Sequence, residues 1–247
     1  RAANNFRWNV GFNLSQVKSE IVSLPKNVTE YYNPYTWNSG NIRNGIMVGH
    51  PITTLTGRAY ERNDAGDILI EPTTGLPIVS PNWSVIGDRE PKLRFGVTTS
   101  FAYEGFRLSA MFAGRYKATV VNGTKRSMMS SGTSWESVKM REGSPMIFNG
   151  VYKDGNENTS NPTRNTIAAD YSISLPGGGD EDWLEKNVNY LRLQELRLGY
   201  RIPSSLTKAT RIISIADVYI SANDLFVWTN YSGIDAVGNT VSAAAGG

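Results

Sequence analysis

The chain has 247 residues, a net charge of +3, a sequence pI of about 9.0 and no cysteine. That length allows one large all-β domain or two smaller ones, and the lack of cysteine excludes a disulfide framework and thiolate chemistry. Basic residues are scattered singly, which argues against a nucleic-acid surface, and no apolar run reaches the roughly 18 residues of a membrane helix.

Residue 1 is Arg, with no initiator Met or signal peptide, so the chain is read as a fragment or a processed product. A first strand is expected over 4–17. Within it Phe6, Trp8, Val10, Phe12 and Leu14 alternate with Arg7, Asn9, Gly11, Asn13 and Ser15. Strict period two is the mark of a strand with one apolar and one polar side. The length matches the roughly 9–11 residues with which a tilted strand crosses a bilayer. A long polar segment, 18–91, follows. Its prolines and glycines suit a loop, but Tyr31, Tyr32, Tyr35, Trp37 and Trp83 predict structure of its own rather than a disordered linker. Arg58 to Glu71 reads as a hairpin turning at Asp64–Gly66.

Two further strands are predicted at 92–104 and 106–117, joined by a tight turn at Glu104–Gly105. Leu93, Phe95, Val97, Phe101 and Tyr103 oppose Arg94, Gly96, Thr98, Ser100 and Ala102. Phe106, Leu108, Ala110, Phe112 and Tyr116 then oppose Arg107, Ser109, Arg115 and Lys117. A second long polar segment, 118–189, contains a predicted short helix near Ser134–Arg141. The last two strands are expected at 190–201 and 212–224, across a short link at Pro203. In the first, Leu196, Leu198, Tyr200 and Ile202 alternate with Glu195, Arg197, Gly199 and Arg201. Leu191 and Leu193 fall on the opposite parity to Leu196, which requires a bulge or a strand that begins above an apolar layer. In the second, Tyr219, Ser221 and Asn223 are assigned to the polar side.

Long and short connections therefore alternate strictly. If the strands cross a layer, the long loops share one side and the short turns the other, the asymmetry of outer-membrane barrels. On that reading Tyr103, Phe106 and Tyr200 form an interface girdle near the short turns. Arg94, Arg107, Arg115, Glu195 and Arg197 face a lumen, where the arginines would meet carboxylates of a plug or of neighbouring strands. Five strands at ~4.8 Å spacing span only ~24 Å, too little to close around water, so the chain is expected to be part of something larger.

Five stretches carry a family resemblance. They are Tyr190-Leu-Arg-Leu-Gln-Glu-Leu-Arg-Leu-Gly-Tyr-Arg-Ile-Pro, then Val218-Tyr-Ile-Ser-Ala-Asn-Asp-Leu-Phe with Tyr231-Ser-Gly-Ile-Asp, and the pair Gly87-Asp-Arg-Glu-Pro-Lys-Leu-Arg-Phe-Gly and Phe106-Arg-Leu-Ser-Ala-Met-Phe-Ala-Gly-Arg-Tyr. Together they resemble the C-terminal barrel portion of SusC/RagA-type TonB-dependent transporters of Bacteroidetes. The resemblance implies an all-β fold, a transmembrane antiparallel barrel of about 22 strands, with long structured extracellular loops. It implies import of oligosaccharides, or of peptides, across the bacterial outer membrane. Its partners would be membrane lipid, TonB through an N-terminal part outside this chain, and a SusD-like surface lipoprotein acting as a lid. Signal peptide, plug domain, most strands and a final strand are missing from such a whole. A siderophore or cobalamin receptor is a weaker variant.

No cofactor is expected, and no catalytic constellation is present. His50 stands alone. Asp180-Glu-Asp182 lacks EF-hand spacing and reads as a solvated loop or, less readily, part of a Ca²⁺ site. Gly177-Gly-Gly lacks the residues that would make it a phosphate loop. The triplets at Asn13, Asn27, Asn82, Asn122, Asn158 and Asn230 that match the glycosylation pattern are expected by chance in so polar a chain. The loop aromatics Trp83, Trp135, Tyr152 and Trp183 are candidates for stacking on a ligand or meeting the lid, against the plainer reading of loop packing. A second function class also fits: a soluble extracellular β-sandwich that binds glycan or a host surface, whose apolar face would pack on another sheet of the same chain.

Overall fold

A computed structural model describes residues 6–32, 40–169, 178–209 and 211–236; Tyr35, Trp37 and Gly177 lie outside them. The strands in chain order are β1 (Arg7–Ser15), β2 (Glu30–Tyr32), β3 (Arg43–Met47), β4 (Thr54–Tyr60), β5 (Leu69–Ile70), β6 (Val79–Asp88), β7 (Leu93–Tyr103), β8 (Phe106–Val121), β9 (Val151–Tyr152), β10 (Leu184–Arg201) and β11 (Asp217–Thr229). The helices are α1 (Gly123–Ser130), α2 (Trp135–Arg141) and α3 (Ser204–Ala209). The chain divides into two units. Unit 1 is Arg1–Val17, Pro91–Ala118 and Asn187–Tyr231; unit 2 is Lys18–Glu90, Thr119–Lys186 and Ser232–Gly247.

Unit 1 is built on a five-stranded sheet of order β1-β7-β8-β10-β11. Its registers keep the sequence parity. Trp8 pairs with Phe101, Phe12 with Val97, and Val97 with Phe112; on the other face Asn9 pairs with Ser100, and Ser100 with Ser109. Cross-strand neighbours of like character are what stabilise a pleated pair. The β7–β8 turn holds Glu104 and Gly105 at φ 44° and 92°. A type I′ hairpin turn needs positive φ at both positions, which glycine adopts freely and Glu104 at some steric cost. The backbone of Arg201 donates to Gly105 O at 2.9 Å, which places the β10–β11 connection at the same end of the sheet as this turn. Ser15, Arg94 and Arg115 mark the opposite end, where the long segments depart.

The last strand differs from expectation. It was expected over 212–224 and runs instead over Asp217–Thr229. Arg211 sits at φ 59° and Ile212–Ile215 remain outside the sheet, because Ile202 N bonds Ala216 O and closes the pair there. The link at Pro203 is not a bare turn but carries α3. The bulge lies in β11 rather than in β10, so Leu191 and Leu193 keep the parity of Glu195 and stay on the face opposite to Leu196. Leu193 pairs with Phe226 and Glu195 with Asn223, so β11 has one residue more than β10 between the two pairs. Asp224, at φ 51°, lies in the bulge.

In unit 2 the two long polar segments fold against each other, which periodicity could not foretell because their strands are short. A second sheet has the order β2-β3-β4-β6, and β5 pairs in parallel with β9. The hairpin turns as read: Gly66 N and Asp67 N donate to the backbone and side-chain oxygens of Asn63 at 2.9 and 2.7 Å. Ile42, Leu55, Ile86, Val121, Trp183 and Leu184 form a buried core. Asn122, 1% exposed, caps α1 by accepting from Lys125 N at 2.8 Å, and its amide donates to Glu185 and Ser232 at 2.6 and 3.1 Å. Burial rules it out as a glycan acceptor. Ser134 caps α2, the helix the sequence placed there.

The acidic triplet is not a solvated loop. Asp180 accepts from Arg58 N at 2.7 Å and Asn41 N at 3.2 Å; Glu181 accepts from Tyr60 N at 3.1 Å and from Arg62 at 2.8 Å; Asp182 accepts from the Tyr60 hydroxyl. Three consecutive carboxylates thus clamp one edge of β4. The approach is close: a Cβ on Gly57 would lie 2.8 Å from Asp180 Cβ and from Ile86 Cδ1, so only glycine fits without displacement. Burial pushes the Asp180 and Asp182 carboxyls above the ordinary carboxylate range, against the hydrogen bonds that favour their charge. Burial, with Asp182 beside it, also raises the Tyr60 hydroxyl, which therefore stays a donor.

Two outcomes follow for the clamp. Asp180→Ala strands the Arg58 and Asn41 amides, at about 1–3 kcal/mol each, and those amides exchange with deuterium correspondingly faster. Because the Asp180 and Asp182 carboxyls bind protons more readily folded than unfolded, their contribution is complete below the usual Asp value of ~4 and declines as pH rises through the raised values. Asp182→Asn keeps an acceptor for Tyr60 and removes one of the two charges. It flattens this decline, read as amide protection of β4 across the acidic range.

Candidate functional site

The sheet of unit 1 presents the candidate site on its polar face. Arg94 of β7 lies directly opposite Arg115 of β8, and Arg107 lies opposite Ala102. Glu195 pairs with Asn223 and Arg197 with Ser221, so Tyr219, Ser221 and Asn223 share the face of Glu195 and Arg197. The Arg197 guanidinium stands 3.9 Å from the centre of the Tyr219 ring, within cation–π range. Two hollows open here. One of about 440 Å³ is lined by Asn9, Gly11, Thr98, Ser100, Ser109 and Glu195 among others. Its neighbour, about 460 Å³, is lined by Arg7, Arg107, Arg197, Arg201, Asp217 and Tyr219 among others. Arg201 grips Asp217 through two nitrogens, at 3.0 and 3.2 Å, the fork geometry that favours arginine over lysine. Arginines outnumber carboxylates on this face, so it favours anionic groups.

The opposite face is apolar and open. Trp8, Val10, Phe12 and Leu14 are each more than half exposed, as are Phe106, Val218 and Ile220. Tyr103 pairs with Phe106, whose ring centre lies 4.5 Å from that of Tyr200. The residues read as an interface girdle are thus brought together at the short-connection end of the sheet.

The loop aromatics separate. Trp183 is 7% exposed inside the core of unit 2, and Tyr152 is 9% exposed, its hydroxyl accepting from Thr166 N at 2.9 Å. Neither is available to a ligand or lid in this fold; both serve packing. Trp83 stacks on Arg43, whose guanidinium lies 3.6 Å from its ring centre and 4.2 Å from that of Tyr32. Trp135 alone of the four is well exposed, at 67%, with Lys139 beside it at 5.7 Å. His50 has a backbone role, accepting from Ile21 N. Among the described residues no group of three or more His, Cys, Asp or Glu could hold a metal ion.

Some of the site escaped the sequence reading. Arg7 and Arg201 were already on the polar parity but were not named in the lumen set, and both line the second hollow. Phe226 and Trp228 could not have been assigned to this face. The bulge turns them onto the face of Asn223, where they lie 59% and 52% exposed with ring centres 5.9 Å apart.

No family model matches the chain. A curated relative, TonB-dependent receptor P3 of Formosa agariphila, is 20% identical over 260 residues, covering 95% of this chain and 24% of its own length. The RagAB peptide transporter structure aligns with a TM-score of 0.61 and 20% identity over 98% of this chain and 25% of that one. The RagAB peptide importer in its closed-closed state gives 0.60 and 20% over 100% and 26%. The chain thus spans about a quarter of the length of these relatives. At such identity the structures speak for the fold, and a strand-rich fold with few helices agrees with theirs. In sequence and in fold this chain resembles the SusC/RagA-type TonB-dependent transporters.

Proposed function

We propose that this chain is a segment of the barrel of a TonB-dependent outer-membrane importer that takes up oligosaccharides or peptides together with a SusD-like surface lipoprotein. The observation that carries the reading is the sorting of the unit 1 sheet into an open apolar face and an arginine-rich, hollowed polar face. Lipid would cover the first, and the second would line the lumen. The Tyr103–Phe106–Tyr200 cluster would sit at the periplasmic interface, where amphipathic rings are favoured. The long segments would be extracellular loops of such a barrel, with Trp135 reaching the lipoprotein and Trp83 held back by its stack on Arg43. The role is transport rather than catalysis. The alternative, a soluble β-sandwich, would need a second sheet packed over the apolar face.

The test is where the protein resides. The intact protein is expected in the outer membrane, soluble only in detergent and several times heavier than 27.2 kDa. A monodisperse 27.2 kDa species stable in plain buffer overturns the proposal. Two substitutions sharpen it. Phe12→Arg, on the apolar face, costs about 2–4 kcal/mol if that position lies near the middle of the bilayer, and lowers the yield of folded, heat-modifiable barrel; Asn13→Arg, on the polar face, leaves it unchanged. Trp135→Ala weakens association with the lipoprotein by about 2 kcal/mol if it is an interface anchor, read as a roughly thirty-fold rise in Kd with the barrel still folded.

A further inference from the structure

The connection between β10 and β11 is built in an unusual way. Among its described polar side chains Thr207 alone is buried, and its aliphatic ones stand outward. Thr207 is 4% exposed, and its hydroxyl reaches Ser204 O at 3.4 Å and Ser214 O at 3.3 Å, pinning the two arms together. Leu206 N bonds Pro203 O at 3.0 Å. Around this pin Leu206, Ile212, Ile213 and Ile215 stand 64%, 90%, 46% and 68% exposed. No Asp or Glu occurs from Ile202 to Ala216, and Arg211 is exposed. The display continues the apolar face of the sheet, through Tyr200 paired with Val218 and Leu198 paired with Ile220, and lies at the end that carries Tyr103 and Phe106.

We infer that Pro203–Ala216 is a membrane-contacting loop that beds Leu206, Ile212 and Ile215 in the interface of a bilayer containing anionic phospholipid, with Arg211 at the headgroups. Four outward aliphatic side chains on one short connection form an apolar display of the kind that marks a contact surface. Exposed aliphatics with adjacent basic charge and no acid are the composition of a surface that lies in an anionic interface. The continuity with the open sheet face selects lipid over a protein partner. The inference rests on the barrel reading and goes beyond it, because a short connection need only close the hairpin.

The experiment uses the full-length transporter in nanodiscs of phosphatidylcholine, with or without phosphatidylglycerol. This chain has no cysteine of its own, so Ile212→Cys, Phe12→Cys and Ser160→Cys can each carry an environment-sensitive fluorophore. The expected result is blue-shifted emission at position 212, quenched by lipids spin-labelled near the headgroup, while position 160 stays water-like. Phosphatidylglycerol should deepen the quenching, and Arg211→Glu should cancel that gain. Water-like emission at 212, or a blue shift without quenching by lipid, overturns the inference. Quenching indifferent to phosphatidylglycerol overturns its anionic part. Position 12 separates the two claims: no lipid quenching there sinks the barrel reading itself, whereas quenching at 12 and none at 212 sinks the loop alone.

Discussion

Side-chain alternation in the five long strands is the constraint on which the rest depends. From the short-connection end as far as the bulge, each strand of unit 1 holds one parity for apolar residues and the other mainly for small, polar or charged ones, and the registers align those parities from Trp8 and Phe101 to Tyr200 and Val218. Beyond the bulge, Leu193 with Phe226 and Leu191 with Trp228 carry bulky side chains onto the polar face. A one-residue slip of β8 or β10 against its neighbours would drive Arg107 or Arg197 to the apolar side. Register, face and site are therefore one property.

Unit 2 obeys a different logic. Its strands are short, and what organises them is polar contact at chosen points. Three adjacent carboxylates bind one edge of β4, and Asn122 joins the start of α1 to Glu185 and Ser232. Lys153 pairs with Glu61 and Arg164 with Asp67, so each long segment supplies a partner to the other. Exposed pairs of this kind add little energy singly. The contacts of the buried Asp180 matter more, since breaking them leaves two part-buried amides without their acceptor.

This contrast explains what could be read in advance. Strands with clean period two, such as Phe6–Ser15 and Leu93–Tyr116, declare both their position and their faces. That Arg94, Arg107, Arg115, Glu195 and Arg197 lie on the polar side of their strands was legible for the same reason, as was the helix after Ser134. Trp183 and Asp180 were not. An aromatic or a carboxylate in a polar, glycine-rich stretch has no period to reveal its neighbours, and its partners lie more than a hundred residues away in sequence, at Leu55 and Arg58. The start of β11 was misplaced because Ile212, Ile213 and Ile215 have the composition of a strand without its pairing. Phe226 and Trp228 were hidden by an irregularity that no pattern in one strand alone can show.

That irregularity at Asp224 has a consequence for how the sequence can vary. It acts as a phase change within a single strand: odd numbers face the polar side up to Asn223, and even numbers do so from Phe226 onward. A scan of substitutions along β11 should therefore show two blocks of tolerance with opposite periodicity. Any comparison of related chains that ignores the shift will average the two blocks and find no pattern at all.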